Sequence, residues 1–248
     1  MYVLGITDHD TFAGYDAARE AASAAGVNLI CGIELSTKLH DKSVHLLGYF
    51  LHPDGMDGFR TWVTCLQASR RERNVRLAAR LRELGMDIRV EEAEALGRGM
   101  TGRPHFAQIM LRKGYVSNLR QAFDEYLDES AKGYVYRQEP SFAEGVERIR
   151  QAGGIASLAH PVRVNGDVAA LMPELCDAGL DAIEAYHSDH DEHDTGQYLE
   201  LARRYGLLVT GGSDFHGEVK PDVKLGTGCG GNLHIPADLV EQLQRARA

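Results

Sequence analysis

Short apolar runs and an amphipathic segment alternate at the start of the chain. Val3–Thr7 and Asn28–Ile33 have the length and apolar character of buried strands. Between them lies the alanine-rich segment Ala13–Ala25, which stops before Gly26 as a helix commonly does. Val44–Phe50 is a third strand-like run. This β-α-β order predicts a mainly parallel sheet or a barrel.

The same alternation returns in the second half of the chain. The pattern predicts strands at Ile155–Ala159, Ala182–Tyr186 and Leu207–Gly211. It predicts helices at Phe142–Ala152, Val168–Ala178, Tyr198–Tyr205 and Ala237–Ala248. The α/β pattern of the first half therefore resumes after the middle of the chain.

The middle of the chain follows a helical pattern instead. Ser69–Leu84 places Leu77, Leu81 and Leu84 on one face and covers the rest with arginines, and shorter helical segments continue to about Lys132. We interpret this part as a helical insertion. The predicted domains are a first part of a barrel at 1–66, the insertion at 67–133 and a second part of the barrel at 134–248.

Histidines and acidic residues stand where the predicted strands end. Five of them lie at or just after a carboxyl end and one lies at a strand edge: His9, Glu34, His160, Asp214 and His216, and then His45. In barrels and parallel sheets the carboxyl ends converge on one face. A single histidine at such a position is more often structural than functional. Several together predict a site for zinc, manganese or iron, in which a carboxylate can bridge two ions.

Composition and charge narrow the classes of protein that fit. The 248 residues, 44% of them hydrophobic and 25% charged, suit one sizeable core with a smaller appendage. The net charge of −9 argues against coating long nucleic acid, while a small anionic substrate held by a few arginines remains compatible. No apolar run approaches the ~20 residues that cross a bilayer. The four cysteines form no C-x-x-C pair, which favours reduced thiols and a cytoplasmic location.

Six segments together resemble one known family. They are Ile6-Thr7-Asp8-His9-Asp10-Thr11, Gly32-Ile33-Glu34, Val44-His45-Leu46-Leu47-Gly48, Gly102-Arg103-Pro104-His105, Leu158-Ala159-His160-Pro161 and Gly212-Ser213-Asp214-Phe215-His216-Gly217. Their sequence and order are similar to those of the polymerase and histidinol phosphatase (PHP) family. The closest resemblance is to its stand-alone branch of nucleotide phosphatases and 5′-3′ exoribonucleases, and it covers nearly the whole chain.

The resemblance implies a fold, a cofactor and a set of ligands. The fold would be an α/β, distorted TIM-like β/α barrel with two or three divalent metal sites, usually filled by manganese, with iron or zinc as alternatives. The implied ligands are His9, Glu34, His45, His160, Asp214 and His216, with Glu34 as the bridge. Glu34, Asp214 and His216 would form the catalytic centre. The metals would activate the attacking water and offset charge on the phosphoryl oxygens.

Three arginines and a histidine are candidates for binding the substrate. By resemblance Arg103, at the start of a predicted helix, would bind a substrate phosphate, as its forked, always charged head suits. Arg137 and Arg163 are candidates for a second phosphate. The alternative, a surface ion pair, is about equally favoured for Arg163. His190 aligns with a family histidine near the substrate. The acidic loop around it predicts solvated side chains for His187 and His193.

Asp8 and the other histidines have less direct roles. Asp8 would orient His9. His105 would cap or pack its helix. His40, His52 and His234 would lie at the surface.

One departure from the family pattern bears on the metal site. Family members open with an H-x-H strand, an Asp and a helix before the T-D-H-D strand, and this sequence has none of these. Such a step would take roughly 30 residues. We expect the chain to be N-terminally truncated, with Met1 an internal start; a degenerate form of the family is the other possibility.

Three functional hypotheses follow. The first is hydrolysis of phosphate from nucleoside 3′,5′-bisphosphates, or from the 5′ ends of short RNA, with the insertion as a roof over the substrate. The second is a histidinol-phosphate-type phosphatase. The third is a catalytically silent nucleotide-binding domain, because expected metal ligands are absent. The expected partner is a small nucleotide or a short oligonucleotide. Long nucleic acid and a membrane are not expected, and no protein partner can be inferred.

Overall fold

The computed structural model describes residues 3–97 and 100–246, and the chain divides into two compact units. The first, called the sheet unit below, is Met1–Phe59 with Pro140–Ala248. The second, called the helical unit, is Arg60–Glu139, a few residues wider at each end than the predicted insertion. The function of the insertion as a roof over the substrate stays a prediction.

All of the described strands lie in the sheet unit, whereas helices occur in both units. The strands are β1 Val3–Ile6, β2 Asn28–Leu39, β3 Lys42–Phe50, β4 Ile155–Leu158, β5 Ala182–His187, β6 Leu208–Gly212, β7 Val223–Lys224 and β8 Gly228–Cys229. The helices are α1 Ala13–Ala24, α2 Asp57–Glu83, α3 Val90–Gly97, α4 Arg103–Arg112, α5 Leu119–Ala122, α6 Phe142–Gln151, α7 Val168–Asp177, α8 Glu192–Tyr205 and α9 Leu239–Ala246.

Six strands form one curled sheet in the order β1-β2-β3-β4-β5-β6. β1 pairs parallel with β2, and β4, β5 and β6 are parallel to one another. β3 is antiparallel to both of its neighbours, β2 and β4. The predicted α/β barrel-like class is confirmed, but the sheet is mixed where the sequence predicted a mainly parallel one.

The antiparallel strand has a local cause in the turn before it. His40 and Asp41 join β2 to β3 with φ values of 48° and 60°. Two successive residues in the left-handed region are typical of a type I′ turn, which folds the chain back as a hairpin. The apolar pattern ended β2 at Glu34, since polar residues follow, whereas the strand continues to Leu39 with Ser36 and Thr37 buried.

The core of the sheet unit holds the strands in close contact. Ile30, Leu47, Ile155 and Ala182 are buried in one apolar cluster. Gly32 allows β1 and β2 to approach, because a Cβ there would lie 2.8 Å from the Ile6 carbonyl oxygen. The segments that follow β1 and Gly32 are thereby held side by side.

The helical unit has its own apolar core. Leu77 and Leu81 of α2 are almost completely buried with Ile88, Phe106 and Leu127. α2 begins at Asp57, twelve residues before the predicted start, so it extends across the boundary between the units. Its leucine face accounts for the predicted helix. The prediction missed the first turns although they also carry buried apolar residues, Phe59 and Val63.

Some elements differ from the prediction. α8 begins at Glu192, because Asp191 caps it by accepting a hydrogen bond from the Asp194 amide at 2.8 Å. The hairpin of β7 and β8 was not predicted. α9 ends at Ala246, and the predicted end of that helix at Arg247 and Ala248 lies outside the described residues. Among the described helices none is both long and apolar enough to cross a membrane.

Candidate metal centre

The loop after β1 is fastened to β2 by backbone hydrogen bonds. The Glu34 amide donates to the Asp8 carbonyl at 3.1 Å, and the Asp10 amide donates to the Glu34 carbonyl at 2.9 Å. The buried Asp10 carboxylate accepts a further bond from the Ser36 amide at 2.9 Å. These contacts place His9 directly beside Glu34, with which it forms a parallel bridge.

Asp8 lies at the other side of the same loop. Its carboxylate accepts a hydrogen bond from the Gly14 amide in the first turn of α1, at 3.1 Å. A Cβ at Gly14 would lie 2.1 Å from that carboxylate oxygen, so this approach requires glycine. Burial of the Asp8 carboxyl raises its pKa in spite of this bond. Orientation of His9 by Asp8 stays a prediction.

His45 reaches the same edge of the sheet from the opposite chain direction. It lies near the start of β3, opposite Ser36 of β2. Because β3 is antiparallel, its amino end stands where its parallel neighbours have their carboxyl ends. The Ala159 amide donates to the His45 carbonyl at 3.2 Å, which brings His160 next to it.

Three imidazoles surround the Glu34 carboxylate. One carboxylate oxygen, Oε1, lies 2.6 Å from Nδ1 of His45 and 2.9 Å from Nε2 of His160. The other oxygen lies 3.6 Å from Nδ1 of His9. His45 Nδ1 and His160 Nε2 are 3.2 Å apart. Four predicted ligands thus meet in one cluster, called the Glu34 cluster below.

The imidazoles and the Glu34 carboxylate shift the pKa values of one another. Burial alone would raise the pKa of the Glu34 carboxyl, but the neighbouring His9, His45 and His160 imidazoles hold it well below its usual range. Burial lowers the pKa of His160, and its bond to Glu34 only partly offsets this. The low pKa of Glu34 and the lowered pKa of His160 both favour a divalent metal, which binds an ionised carboxylate and a neutral imidazole.

The donor set fits a metal ion. Single ligand atoms of His9, Glu34 and His45 all lie within 4.8 Å of one another. In addition, Nδ1 of His160 is buried and has no hydrogen-bond partner among the described residues. Imidazole nitrogen and carboxylate oxygen are common donors to zinc, manganese and iron. The residues present therefore suit at least one such ion.

Asp214, after β6, forms a second cluster, called the Asp214 cluster below. Oδ2 of Asp214 accepts from Lys220 Nζ at 2.5 Å and from Arg163 Nη1 at 2.9 Å. His187 Nε2 lies 3.7 Å from the same oxygen, and His216 Nδ1 lies 3.3 Å from Oδ1. Burial opposes ionisation, but His187 and Lys220 hold the pKa of the Asp214 carboxyl far below its usual range.

The two clusters lie next to each other. The rings of His9 and His216 are 6.0 Å apart, and those of His160 and His187 are 5.7 Å apart. All six predicted ligands therefore lie in one region at one edge of the sheet. Their coordination of metal stays a prediction.

Backbone strain is concentrated at these strand ends. Asp10, His160 and Asp214 have φ values of 48°, 25° and 51°. Outside the His40-Asp41 turn, they are the non-glycine residues in the left-handed region among the described residues. Such conformations persist only where surrounding contacts fix them, and they are common at functional sites.

Glu184 fixes one of the strained positions, and sequence reasoning missed it. It is buried in β5, and its Oε2 accepts a hydrogen bond from the His160 amide at 2.7 Å. Burial raises the pKa of Glu184 to about 8; the His160 amide opposes this shift, and the Glu34 charge adds to it. The available signal was a single acid inside an apolar strand.

His187 corrects the prediction of a solvated loop. Its side chain has 0% exposure, because β5 extends as far as His187 instead of ending at Tyr186. Its Nδ1 accepts from the Asp189 amide at 3.0 Å, so a neutral ring carries its proton on Nε2, towards Asp214. His193 is exposed and lies 3.0 Å from Gln197 Nε2.

The remaining predicted substrate residues of the sheet unit are His190 and Arg163. His190 is buried, contacts the Ala185 carbonyl at 2.9 Å through Nδ1 and packs on Tyr198. Burial also lowers its pKa. Arg163 pairs with Asp189 and Asp214, and these bonds raise its pKa against the effect of burial. The ion pair considered for Arg163 is thus present.

Arg103 and Arg137 lie in the helical unit. Arg103 is the first residue of α4, and its Nη1 donates to the Leu127 carbonyl at 3.2 Å. The buried Arg137 pairs with Glu139 at 2.6 Å and donates to the Leu66 carbonyl at 3.4 Å. Their contact with substrate stays a prediction.

The other histidines have structural contacts. His105 caps α4, as predicted, since its Nδ1 accepts from the Gly102 amide at 3.0 Å. His40 pairs with Glu174 at 3.0 Å on the surface. His234 is exposed, as predicted, and its Nδ1 lies 2.7 Å from the Leu233 carbonyl. His52 is also exposed, as predicted, and lies outside the strands.

Comparison with known proteins gives relatives whose names all refer to hydrolysis of phosphate esters, on different substrates. No family model matches the chain. A 5′-3′ exoribonuclease of Haemophilus influenzae is 32% identical over 221 residues, which cover 86% of this chain and 79% of that protein. A 3′,5′-nucleoside bisphosphate phosphatase of Chromobacterium violaceum is 31% identical over 219 residues, which cover 86% of this chain and 76% of that protein.

A solved structure is similar over the whole chain. It is that of a protein from Bifidobacterium adolescentis, called a metal-dependent phosphoesterase. The TM-score is 0.83 at 29% sequence identity, and the match covers 100% of this chain and 87% of that one.

Proposed function

The chain belongs to the PHP family of metal-dependent phosphoesterases, and we propose that it hydrolyses phosphate from nucleoside 3′,5′-bisphosphates or from the 5′ ends of short RNA. The observation that carries the proposal is the Glu34 cluster, in which one buried carboxylate lies among three imidazoles. The substrate class rests on the names of the two relatives, an exoribonuclease and a nucleoside bisphosphate phosphatase.

We assign the metal ligands to both clusters. His9, Glu34, His45 and His160 would hold one ion, with Glu34 able to bridge to a second beside Asp214 and His216. Divalent cations, manganese first and iron or zinc as alternatives, supply a water that is nucleophilic at neutral pH and offset charge on the phosphoryl oxygens.

The side chains of the Asp214 cluster have to rearrange for this role. In the structure, Lys220 and Arg163 neutralise Asp214. A cation at Asp214 would replace at least one of them. Arg163 would then be available to bind a phosphoryl oxygen, as the sequence predicts, because a guanidinium fork matches two oxygens of one phosphate.

His190, Arg103 and Arg137 complete the proposed substrate contacts. His190 has a buried Nε2 with no partner among the described residues. Because its Nδ1 donates to the Ala185 carbonyl, Nε2 of the neutral ring can accept one further hydrogen bond, for example from a substrate hydroxyl. Arg103 and Arg137 would bind phosphate in the helical unit. We further propose a cytoplasmic location, since no disulfide joins the cysteines of the described residues.

The proposal is tested by phosphate release from a nucleoside 3′,5′-bisphosphate with Mn²⁺. Glu34→Ala should reduce turnover by about 10³-fold or more, since the ion would lose its central ligand. Glu200→Ala is the matched control, because Glu200 is exposed and pairs only with Arg203 on the same helix face among its described contacts. Unchanged turnover in Glu34→Ala would contradict the proposal.

Two further measurements separate the alternatives. A substrate panel that includes histidinol phosphate distinguishes the nucleotide enzyme from a histidinol-phosphate-type phosphatase. Elemental analysis of the purified 248-residue chain distinguishes both from a silent domain. Less than one tightly bound ion per chain, together with no turnover on any substrate, would favour the silent domain.

A further inference from the structure

The pairing of β4 with β5 ends just before the metal centre. Among the described residues, the last register pair of these strands is Leu158 with Ile183. β4 ends at Leu158, so the amide of His160 lies beyond the paired segment. Glu184, the next residue of β5, reaches this amide with its side chain, and Oε2 accepts the hydrogen bond at 2.7 Å. A side-chain oxygen thus takes the place that a backbone carbonyl has within the sheet.

Three hydrogen bonds hold the strained backbone around His160. Its φ and ψ of 25° and 66° lie outside the regions that residues other than glycine favour. The Ala159 amide donates to the His45 carbonyl at 3.2 Å, and the Arg163 amide donates to the His160 carbonyl at 2.9 Å. The bond to Glu184 is the one of the three that depends on a side chain. A substitution at Glu184 can therefore release the His160 amide while the other two bonds remain possible.

The other carboxylate oxygen of Glu184 lies beside β6, the strand on the far side of β5. A Cβ added to Gly212 would lie 3.1 Å from Oε1 of Glu184. Apart from the chain neighbours of Gly212, this oxygen is the one described atom within 4 Å of that Cβ. Glycine at this position thus leaves room for the carboxylate. Because Asp214 follows two residues later, Glu184 stands between the segments that carry His160 and Asp214.

The burial of Glu184 is not explained by packing of the core. The residue is only 4% exposed, and the other buried residues of β5 include Ala182, Ile183 and Ala185. Moving a carboxyl group from water into such surroundings costs free energy, and its hydrogen bonds offset only part of that cost. An apolar residue would avoid the cost. The acid therefore indicates a role outside the core.

We propose that Glu184 is a positioning residue of the metal centre, which fixes the backbone of His160 and thereby the direction of its imidazole. The direction matters because Nε2 of His160 lies 2.9 Å from Oε1 of Glu34. Loss of a contact that orients a metal ligand typically weakens metal binding by about 10–100-fold. The inference rests on the proposed function for the role of His160 as a ligand, and Glu184 acts only through His160.

The metal affinity of the full chain measures this role without catalysis. The metal-free protein is titrated calorimetrically with Mn²⁺. Glu184→Ala should weaken Mn²⁺ binding at least about tenfold, because the His160 amide loses its acceptor. Glu184→Gln keeps an oxygen that can accept this bond, so its affinity should stay within about threefold of the wild type. An affinity of Glu184→Ala equal to that of the wild type would overturn the proposal.

Asp181→Ala is the matched control, because Asp181 makes the same kind of bond at the other end of β5. Its Oδ2 accepts from the Ala156 amide of β4 at 3.0 Å. Asp181→Ala should lower the melting temperature, since it also removes a bond between a carboxylate and an amide. It should leave the affinity for Mn²⁺ within about twofold of the wild type. Equal weakening of Mn²⁺ binding by Asp181→Ala and Glu184→Ala would mean that affinity follows stability, and the proposal would be wrong.

Gly212→Ala tests the same contact and keeps the carboxylate. The added methyl group would crowd Oε1 of Glu184 and should weaken Mn²⁺ binding at least about threefold. In the Glu184→Ala background the crowded atom is missing, so Gly212→Ala should cause no further loss. An equal loss in both backgrounds would overturn the coupling of Gly212 to Glu184. If Glu184→Ala does not fold, Gly212→Ala alone decides, and an unchanged affinity then overturns the proposal.

Turnover separates this inference from the proposed function. Mn²⁺ binding that depends on Glu184, together with no hydrolysis of a nucleoside 3′,5′-bisphosphate, contradicts the proposed function and supports the positioning role. A wild-type chain that binds no Mn²⁺ overturns both, since His160 would then not be a metal ligand.

Discussion

Buried charges have different surroundings at the metal centre and in the helical unit. At the metal centre each carboxylate lies beside basic groups. Imidazoles surround Glu34, and Arg163 and Lys220 bind Asp214. At Asp214 a metal would therefore have to replace an internal cation. In the helical unit, burial and then charges of the same sign lower the pKa of the buried Arg73.

This difference predicts that the two regions can be disabled separately. Glu34→Gln should abolish the rise in melting temperature that Mn²⁺ produces, by several degrees at saturating metal, since binding to the folded state is the source of the rise. The same variant should keep its stabilisation by phosphate in the presence of chelator. Arg103→Met, at an arginine proposed above to bind a substrate phosphate, should show the converse: stabilisation by Mn²⁺ but not by phosphate. Thermal melts of both variants with each ligand are the measurement, and loss of both responses in either variant would show that the regions are not independent.

The second prediction concerns Glu184, whose folded-state pKa is raised to about 8. An acid with a raised pKa contributes stability below its unfolded value of about 4.3, and this contribution is lost as pH rises towards 8. Glu184→Gln keeps an acceptor for the His160 amide but cannot ionise. In metal-free protein it should match the wild type near pH 5 and be more stable at pH 8.5, by about 2–4 kcal/mol.

Urea unfolding at the two pH values measures this effect. Glu144→Gln is a suitable control, since Glu144 is partly exposed in the first turn of α6. A Glu184→Gln variant that is less stable than the wild type at both pH values would show that the carboxylate form is the one the fold requires.

The third and smallest prediction concerns Lys220, which lies 2.5 Å from Asp214. Lys220→Met should lower the stability of the metal-free protein by about 1 kcal/mol, because Arg163 still neutralises Asp214 and the pair is partly exposed. With Mn²⁺ bound the loss should disappear, since the ion takes over the carboxylate. Melts with and without metal measure the change, and Lys224→Met, at an exposed lysine, is the control. An equal loss in both conditions would mean that Lys220 and the metal do not compete.

Much of the metal centre could be predicted from the sequence because strand ends are a local signal. His9, His160, Asp214 and His216 follow apolar runs directly, and the sheet places them at one edge. His45 arrives there for another reason: the His40-Asp41 turn reverses β3, and its amino end lies where a parallel strand would end. The structure places the predicted ligands at one edge of the sheet, and their role as ligands stays a prediction. The expected strand direction was wrong for β3.

What the sequence alone determined is the α/β class, the separate helical segment and the candidate ligands, since apolar periodicity and strand-end residues are properties of neighbours along the chain. Only the tertiary structure decided that His187 is buried against Asp214, that Glu184 accepts a hydrogen bond from the His160 amide, and that burial and the charges of other arginines lower the pKa of Arg73. In each case a polar side chain acquires its character from groups tens of residues away. Burial and charge act through space, so a local pattern such as the single acid in β5 cannot show which groups a side chain contacts.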